Sequence, residues 1–286
     1  MPIKKLILFI FILLLSSTSS AQEYPGARQI ALSNSGIALS NDVFSIFNNP
    51  SGSAQMDWNE LGVYYSPSPF GMKELSQGYA AYHQPFKLGS VSAGFMNYGF
   101  DLYKENKFLI SFSRKFYKNF FIGLSASYNY LKIQNYGNSS TLVFSIGGLT
   151  YFNENFRLGF AFENFTRSTY GESKDQIPVI LRLGISYDFF NKASINFAIA
   201  KEIDFPFSFH FGFEYALVKY LIIRAGTATR PDTYSVGLGI KYSLFQIDYS
   251  VSNHPVLGLT HQAGIIANFI ETYNRMEKIK NFLFGR

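Results

Sequence analysis

The chain has 286 residues, with 25 Lys+Arg against 19 Asp+Glu and a formal charge of +6. Charged residues make up 15% of it and aromatics 18%, a charge content well below the roughly 25% of soluble domains. The absence of Cys excludes disulfides, thiolate metal sites and a cysteine nucleophile. The basic residues are scattered, which argues against nucleic acid as a partner, and no apolar run approaches the ~20 residues of a membrane helix.

Residues 1–21 read as an export signal. Lys4 and Lys5 form a basic start, residues 6–15 an apolar centre, and Ser19-Ser20-Ala21 place small residues before a cut ahead of Gln22. Residues 22–59 form a separate unit that does not alternate. They run Gly26-Ala27-Arg28, Ser33-Asn34-Ser35-Gly36-Ile37-Ala38, Asn41-Asp42 and Asn48-Asn49-Pro50-Ser51-Gly52. Ser40 or Asn41 is expected to cap a short helix through Phe47, Pro50 to end it, and Gly52 to permit a tight turn.

From Glu60 to residue 269 the period is two. Leu181, Leu183, Ile185, Tyr187 and Phe189 alternate with Arg182, Gly184, Ser186 and Asp188. Phe207, Phe209, Phe211, Phe213 and Tyr215 alternate with Ser208, His210, Gly212 and Glu214, and the runs at 157–163, 235–242 and 246–252 behave alike. One face is large and apolar; the other is Gly, Ser or an isolated ion. That pairing suits an outer-membrane barrel, apolar toward lipid and polar toward a crowded lumen, with Tyr128, Tyr130, Tyr187, Tyr215 and Tyr242 in the interfacial girdles.

Fourteen strands are predicted, starting near Glu60, Gln77, Gly89, Lys107, Phe120, Ser140, Phe156, Ile177, Ala193, Pro206, Tyr220, Thr233, Phe245 and Gly258. An even count is what single-chain bacterial barrels require. Short connections at 85–88, 117–119, 153–155, 191–192, 217–219 and 243–244 tend to alternate with longer ones at 66–76, 98–106, 135–139, 166–176 and 252–257, with short exceptions at 201–205 and 230–232. With short turns on the periplasmic side, both termini are expected in the periplasm. Pro178 and Pro206 are edge-type signals at strand starts. A barrel of this size is wider than side chains alone fill, so residues 22–59 are the expected lumenal hatch.

The N-terminal pattern resembles the hatch of FadL-like outer-membrane proteins, and most of all their PorV/PorQ-type branch associated with type IX secretion. Its motif falls here on Gly26, Arg28, Gly36, Asp42, Asn49, Pro50 and Gly52. The last strands, with Leu238-Gly239-Ile240, Asp248-Tyr249-Ser250, Leu257-Gly258-Leu259-Thr260-His261 and Phe269, are similar to that branch's closing hairpin. The resemblance implies a non-enzymatic barrel that docks secretion-system or periplasmic proteins, or that passes a small hydrophobic ligand such as a long-chain fatty acid. It departs in Asn34-Ser35-Gly36, where a glycine pair is usual, in Ser51, where Ala is usual, and in the lack of long outer loops.

Nine residues are predicted to face the lumen: Arg157, Glu163, Arg182, Asp188, His210, Glu214, Arg224, Lys241 and Asp248. They form either a polar pathway or an ion-pair lattice that fills the interior; the lattice is the simpler reading. Residues 270–286 form a tail in which Tyr273, Met276, Ile279, Phe282 and Leu283 recur at helical spacing. It is either a frayed end or a periplasmic amphipathic helix lying on the inner leaflet or touching a partner. His83, His210, His254 and His261 share no ligand spacing, and no nucleotide, nucleophile-elbow or dinucleotide motif occurs, so neither metal nor cofactor is expected. His261 has outward parity but no indicated Ser partner, which makes a lipid-modifying enzyme the weakest reading.

Overall fold

The computed structural model describes residues 25–117, 119–171, 175–272 and 274–285. The export signal expected at 1–21, and Tyr273 of the tail pattern, lie outside them. Fourteen antiparallel strands close into one barrel: β1 Glu60–Ser66, β2 Gln77–Phe86, β3 Gly89–Phe100, β4 Tyr103–Tyr117, β5 Phe120–Ile133, β6 Gly137–Tyr151, β7 Phe156–Glu163, β10 Ile180–Phe189, β11 Ala193–Glu202, β12 Ser208–Val218, β13 Leu221–Ala228, β14 Thr233–Tyr242, β15 Phe245–His254 and β16 Gly258–Asn268. β1 closes on β16 with Glu60 opposite Asn268, so no barrel edge is left at the seam. A two-stranded ribbon, β8 Thr169–Tyr170 with β9 Asp175–Gln176, sits in the connection after β7.

The alternation holds in three dimensions. Arg182, Gly184, Ser186 and Asp188 point inward on β10, while Leu181, Leu183, Ile185 and Tyr187 are exposed outside. An apolar belt built in this way, with Phe108 on β4, Phe211 on β12 and Leu238 on β14, encircles the barrel.

Five strand starts differ from the expectation, four of them for identifiable reasons. β10 begins at Ile180 rather than Ile177 and β12 at Ser208 rather than Pro206, because Pro178 and Pro206 cannot donate to a ladder. β4 begins at Tyr103 and β6 at Gly137, and the connections expected at 98–106 and 135–139 are largely strand. Lys104 pairs with Lys132 and Asn138 with the same residue across β5. Both faces are polar there, so the pattern fades while the pairing continues. β13 starts at Leu221, one residue after Tyr220.

The wall is uneven as a result. β6 has 15 residues and β7 only 8. β7 pairs with β6 only between Ile146 and Tyr151. Beside residues 137–145 of β6 the neighbour is loop and ribbon: Phe165 N donates to Phe144 O at 3.2 Å, and Gly171 approaches Ser139.

The N-terminal segment lies inside the barrel. Helix α1, Ala27–Ala31, packs against β13–β16; the 3-10 turn Val43–Phe47 against β1–β3; and the 3-10 turn Pro50–Gln55 against β3–β6. Glycines on the inner face make the room. A Cβ on Gly94 would lie 2.5 Å from the Phe47 ring and one on Gly159 2.7 Å from Ile37 O. Gly123 faces Pro50, Gly147 faces Asn49, Gly212 faces Leu32 and Ser35, and Gly226 faces Ser33. Much of the Gly on the polar faces is thus a template for this segment's backbone.

Helix α2, Arg275–Phe284, spans the end of the barrel that carries the short turns. Asn274 caps it by accepting from Glu277 N, and Gly285 closes it in the left-handed region at φ 72°. Its buried residues Arg275, Met276, Ile279 and Lys280 face the barrel's own mouth, so this face is not laid on a lipid leaflet.

Candidate functional site

The site is the filled lumen. Its framework starts with two turns in the N-terminal segment. Asp42, rather than Ser40 or Asn41, caps Val43–Phe47 by accepting from Phe44 N at 3.1 Å. Pro50 opens a second turn instead of ending the first: it occupies the first position after Asn49, whose Oδ1 accepts from Ser51 N at 3.2 Å. Asn49 Nδ2 also donates to Ile37 O at 2.9 Å and to Gly148 O of β6 at 3.2 Å, tying the segment to itself and to the wall. Of the three motif glycines, two are sterically required. Gly26 has φ 107° and a Cβ there would strike the Gln29 side chain; Gly52 presses on Ser40 O. Gly36 has 3.6 Å to its nearest neighbour, so space does not demand glycine there.

Arg28 is the segment's main tie. Its Nε and Nη2 donate to Glu214 Oε2 and Oε1 at 2.7 and 2.9 Å. Its Nη1 donates to Asn41 Oδ1 at 2.7 Å and Asp42 Oδ2 at 2.8 Å. The forked guanidinium thus joins β12 to the helix-capping residue of the segment. Arg224 carries the chain of charges on: its Nε donates to Glu214 Oε2 at 2.7 Å and its Nη1 to Asp248 Oδ1 at 2.7 Å. Four ions of alternating sign therefore run from the segment across β12, β13 and β15.

The other predicted lumenal residues fall into separate places. Arg157 and Asp188 pair at 2.7 Å, with Arg157 only 1% exposed. Arg182 pairs with Glu163 at 3.1 Å, and Lys107 lies 3.9 Å from the same carboxylate. His210 Nδ1 lies 2.7 Å from Ser33 O; since a carbonyl only accepts, Nδ1 carries the proton. Lys241 lines the cavity described next. Among the described residues no group of His, Cys, Asp or Glu is assembled to hold a metal.

Three residues central to the arrangement, Glu60, Arg275 and Lys280, were outside the sequence-based set of lumenal residues. Glu60 Oε2 accepts from Val43 N at 2.9 Å, and its Oε1 accepts from Trp58 Nε1 at 2.7 Å and from Arg275. Lys280 donates to Asn155 Oδ1 and Asn191 Oδ1 at 2.7 Å each, 3.7 Å from Asp188. Burial pulls the Lys280 ammonium below the usual lysine value, with Asp188 opposing the shift. The inward parity of Glu60 at its strand start was the one available signal.

α2 leaves part of the short-turn end uncovered. A cavity of about 640 Å³ opens there between α2 and the inner wall, lined by Arg28, Glu214, Arg224, Lys241, Ile222 and Met276 among others. That volume lies in the range of small-molecule sites, and its lining includes the Arg28–Glu214 pair.

No known family profile matches the chain, and among curated proteins none is similar in sequence. Solved structures do share the fold. The CymD monoaromatic hydrocarbon channel superposes with a TM-score of 0.68 at 11% identity, covering 86% of this chain and 98% of its own. The Pseudomonas putida toluene transporter TodX gives 0.61 at 11% identity, covering 80% and 95%. A Pseudomonas aeruginosa FadL homologue gives 0.58 at 14% identity, covering 88% and 98%. The chain therefore has the barrel fold of FadL-type outer-membrane channels.

Proposed function

We propose that the protein is a bacterial outer-membrane barrel that passes small apolar molecules, with residues 25–59 as a movable hatch. The observation that carries this reading is the combination of an apolar outer belt with a lumen occupied by the N-terminal segment, in a fold shared with hydrocarbon channels. The Phe- and Leu-rich outer faces then meet hydrocarbon, and the short turns and both chain ends lie in the periplasm after removal of residues 1–21. Residues 137–145 of β6, paired to β5 but to no barrel strand on the β7 side, are a place where the wall can open sideways by displacement of residues 164–171. The cavity beneath Arg28 is the exit vestibule. The lumenal ions serve as a lattice that holds the hatch, since most are paired with one another.

The test is uptake of labelled toluene by cells whose outer membrane lacks other hydrocarbon channels. Expression of the protein should raise the initial rate, and variants with the β6 notch sealed should lose that gain. A rate equal to that of empty-vector cells, with the barrel correctly inserted, contradicts transport. A second reading, a plugged anchor of the PorV type that docks secretion-system or periplasmic proteins, is favoured by the filling of the lumen and its partial covering by α2. Cross-linking in native membranes that captures secretion components, with no effect on uptake, supports it over the first.

A further inference from the structure

We propose that the C-terminal helix α2 is a latch on the N-terminal segment, and that the segment moves only after the helix undocks. The inference rests on reading residues 25–59 as a plug, but not on what the barrel transports.

Two carboxylates anchor the helix: Glu60 also holds the plug directly, and Asp188 reaches it through the wall. Glu60 holds Val43 N and Trp58 Nε1 on the plug side and Arg275 on the helix side. Arg275 Nη1 reaches past it to Asn41 O at 2.9 Å, and its guanidinium lies over the Trp58 ring at 5.6 Å. Asn41 is also a partner of Arg28, so one helix side chain bears on the residue that positions the plug's main tie. The second link starts at Lys280, which lies 3.7 Å from Asp188. Asp188 pairs with Arg157, Arg157 Nη1 donates to Tyr151 OH at 3.0 Å, and Tyr151 OH bonds Gln55 of the plug. Gln55 Nε2 then donates to Ser40 O at 2.9 Å. Between these two lines, Ile279 is buried with Ala54, Met56 and Trp58 of the plug and Phe121 and Tyr151 of the wall.

The helix is built to be detachable. It has 10 residues, too few to persist as a helix in water without its docking surface. It follows exposed residues Phe269, Ile270 and Glu271, so it can leave without breaking the β16 ladder. Its two buried cations, Arg275 and Lys280, have their carboxylate partners on the barrel rather than on the helix, so docking is specific to this mouth.

The chain has no cysteine, so Ser53→Cys supplies a unique thiol at a plug position that is 0% exposed. A protease site placed at the exposed residues 269–271 allows α2 to be cut off after the barrel has folded in detergent, with departure of the helix scored by mass. The rate of labelling by a water-soluble maleimide is then compared before and after cutting. Release of the helix is expected to raise it by about tenfold or more, the factor given by lowering the opening free energy by about 1.4 kcal/mol. Should the cut helix stay bound, the Arg275→Gln/Lys280→Gln double variant of the same reporter replaces it, with folding verified by heat-modifiable gel mobility. An unchanged labelling rate in the folded, helix-free barrel overturns the latch. Labelling that is already fast with α2 docked contradicts instead the reading of residues 25–59 as a plug.

Discussion

Glu214→Gln is the sharpest probe of how the lumen is held. The Glu214 carboxylate accepts three hydrogen bonds, from Arg28 Nε and Nη2 and from Arg224 Nε. Two of the three join the N-terminal segment to the wall. The amide keeps one acceptor and loses the charge, leaving two guanidinium groups, both buried, with one carboxylate fewer. Removing one partner of a buried pair costs about 3–5 kcal/mol. Arg224 retains Asp248 at 2.7 Å and Arg28 retains Asp42 at 2.8 Å, so we expect the lower part of that range. Most of the loss should appear as easier opening of the segment rather than as unfolding of the barrel, because the strand ladder is untouched. With a Ser35→Cys reporter, buried against Gly212 of β12, maleimide labelling should speed up by about a hundredfold, the factor for ~3 kcal/mol. A cycle with Arg28→Gln should give a coupling of about 0.5–3 kcal/mol, as for residues in one network. Labelling within about threefold of the parent, together with additive single effects, would mean that the ion chain does not hold the segment, and the reasoning fails.

Three further outcomes follow from particular positions. Gly52→Ala should destabilise the segment by about 1–3 kcal/mol because its Cβ meets Ser40 O, whereas Gly36→Ala, with 3.6 Å of clearance, should be neutral; limited proteolysis of residues 25–59 separates them. Gly123→Ala drives a Cβ into the Pro50–Ser51 backbone and should loosen the segment while the heat-modifiable barrel survives. Leu183→Arg, in the outer belt, should cost about 2–4 kcal/mol in refolding from urea into lipid vesicles if that face meets the bilayer midplane, and close to nothing if it meets water.

The barrel was largely legible because its period of two is enforced on every strand, and the Gly/Ser face distinguished a crowded interior from a solvated one. The starts of β4 and β6 were not legible, because Lys104, Asn106, Asn138 and Ser139 leave no apolar face to mark a strand that backbone pairing still maintains. In the lumen, Arg157, Asp188, Glu214 and Arg224 share inward parity in the sequence, and all four are buried in the structure. Their partners could not be read: Arg28 meets Glu214 across 186 positions of sequence, a distance that no local spacing encodes. The tail fails for a different reason. Its helical period is visible, but Arg275 and Lys280 count as polar-face residues by type. They are buried only because Glu60 and Asp188 wait at the barrel mouth.

The account depends on hydrocarbon covering the Phe-rich outer faces, and refolding decides it most directly. The chain from Gln22 onward, diluted from urea, should reach a heat-modifiable β-rich monomer in detergent or lipid vesicles and aggregate without them. A folded, water-soluble monomer obtained in buffer alone would contradict the membrane assignment and everything built on it.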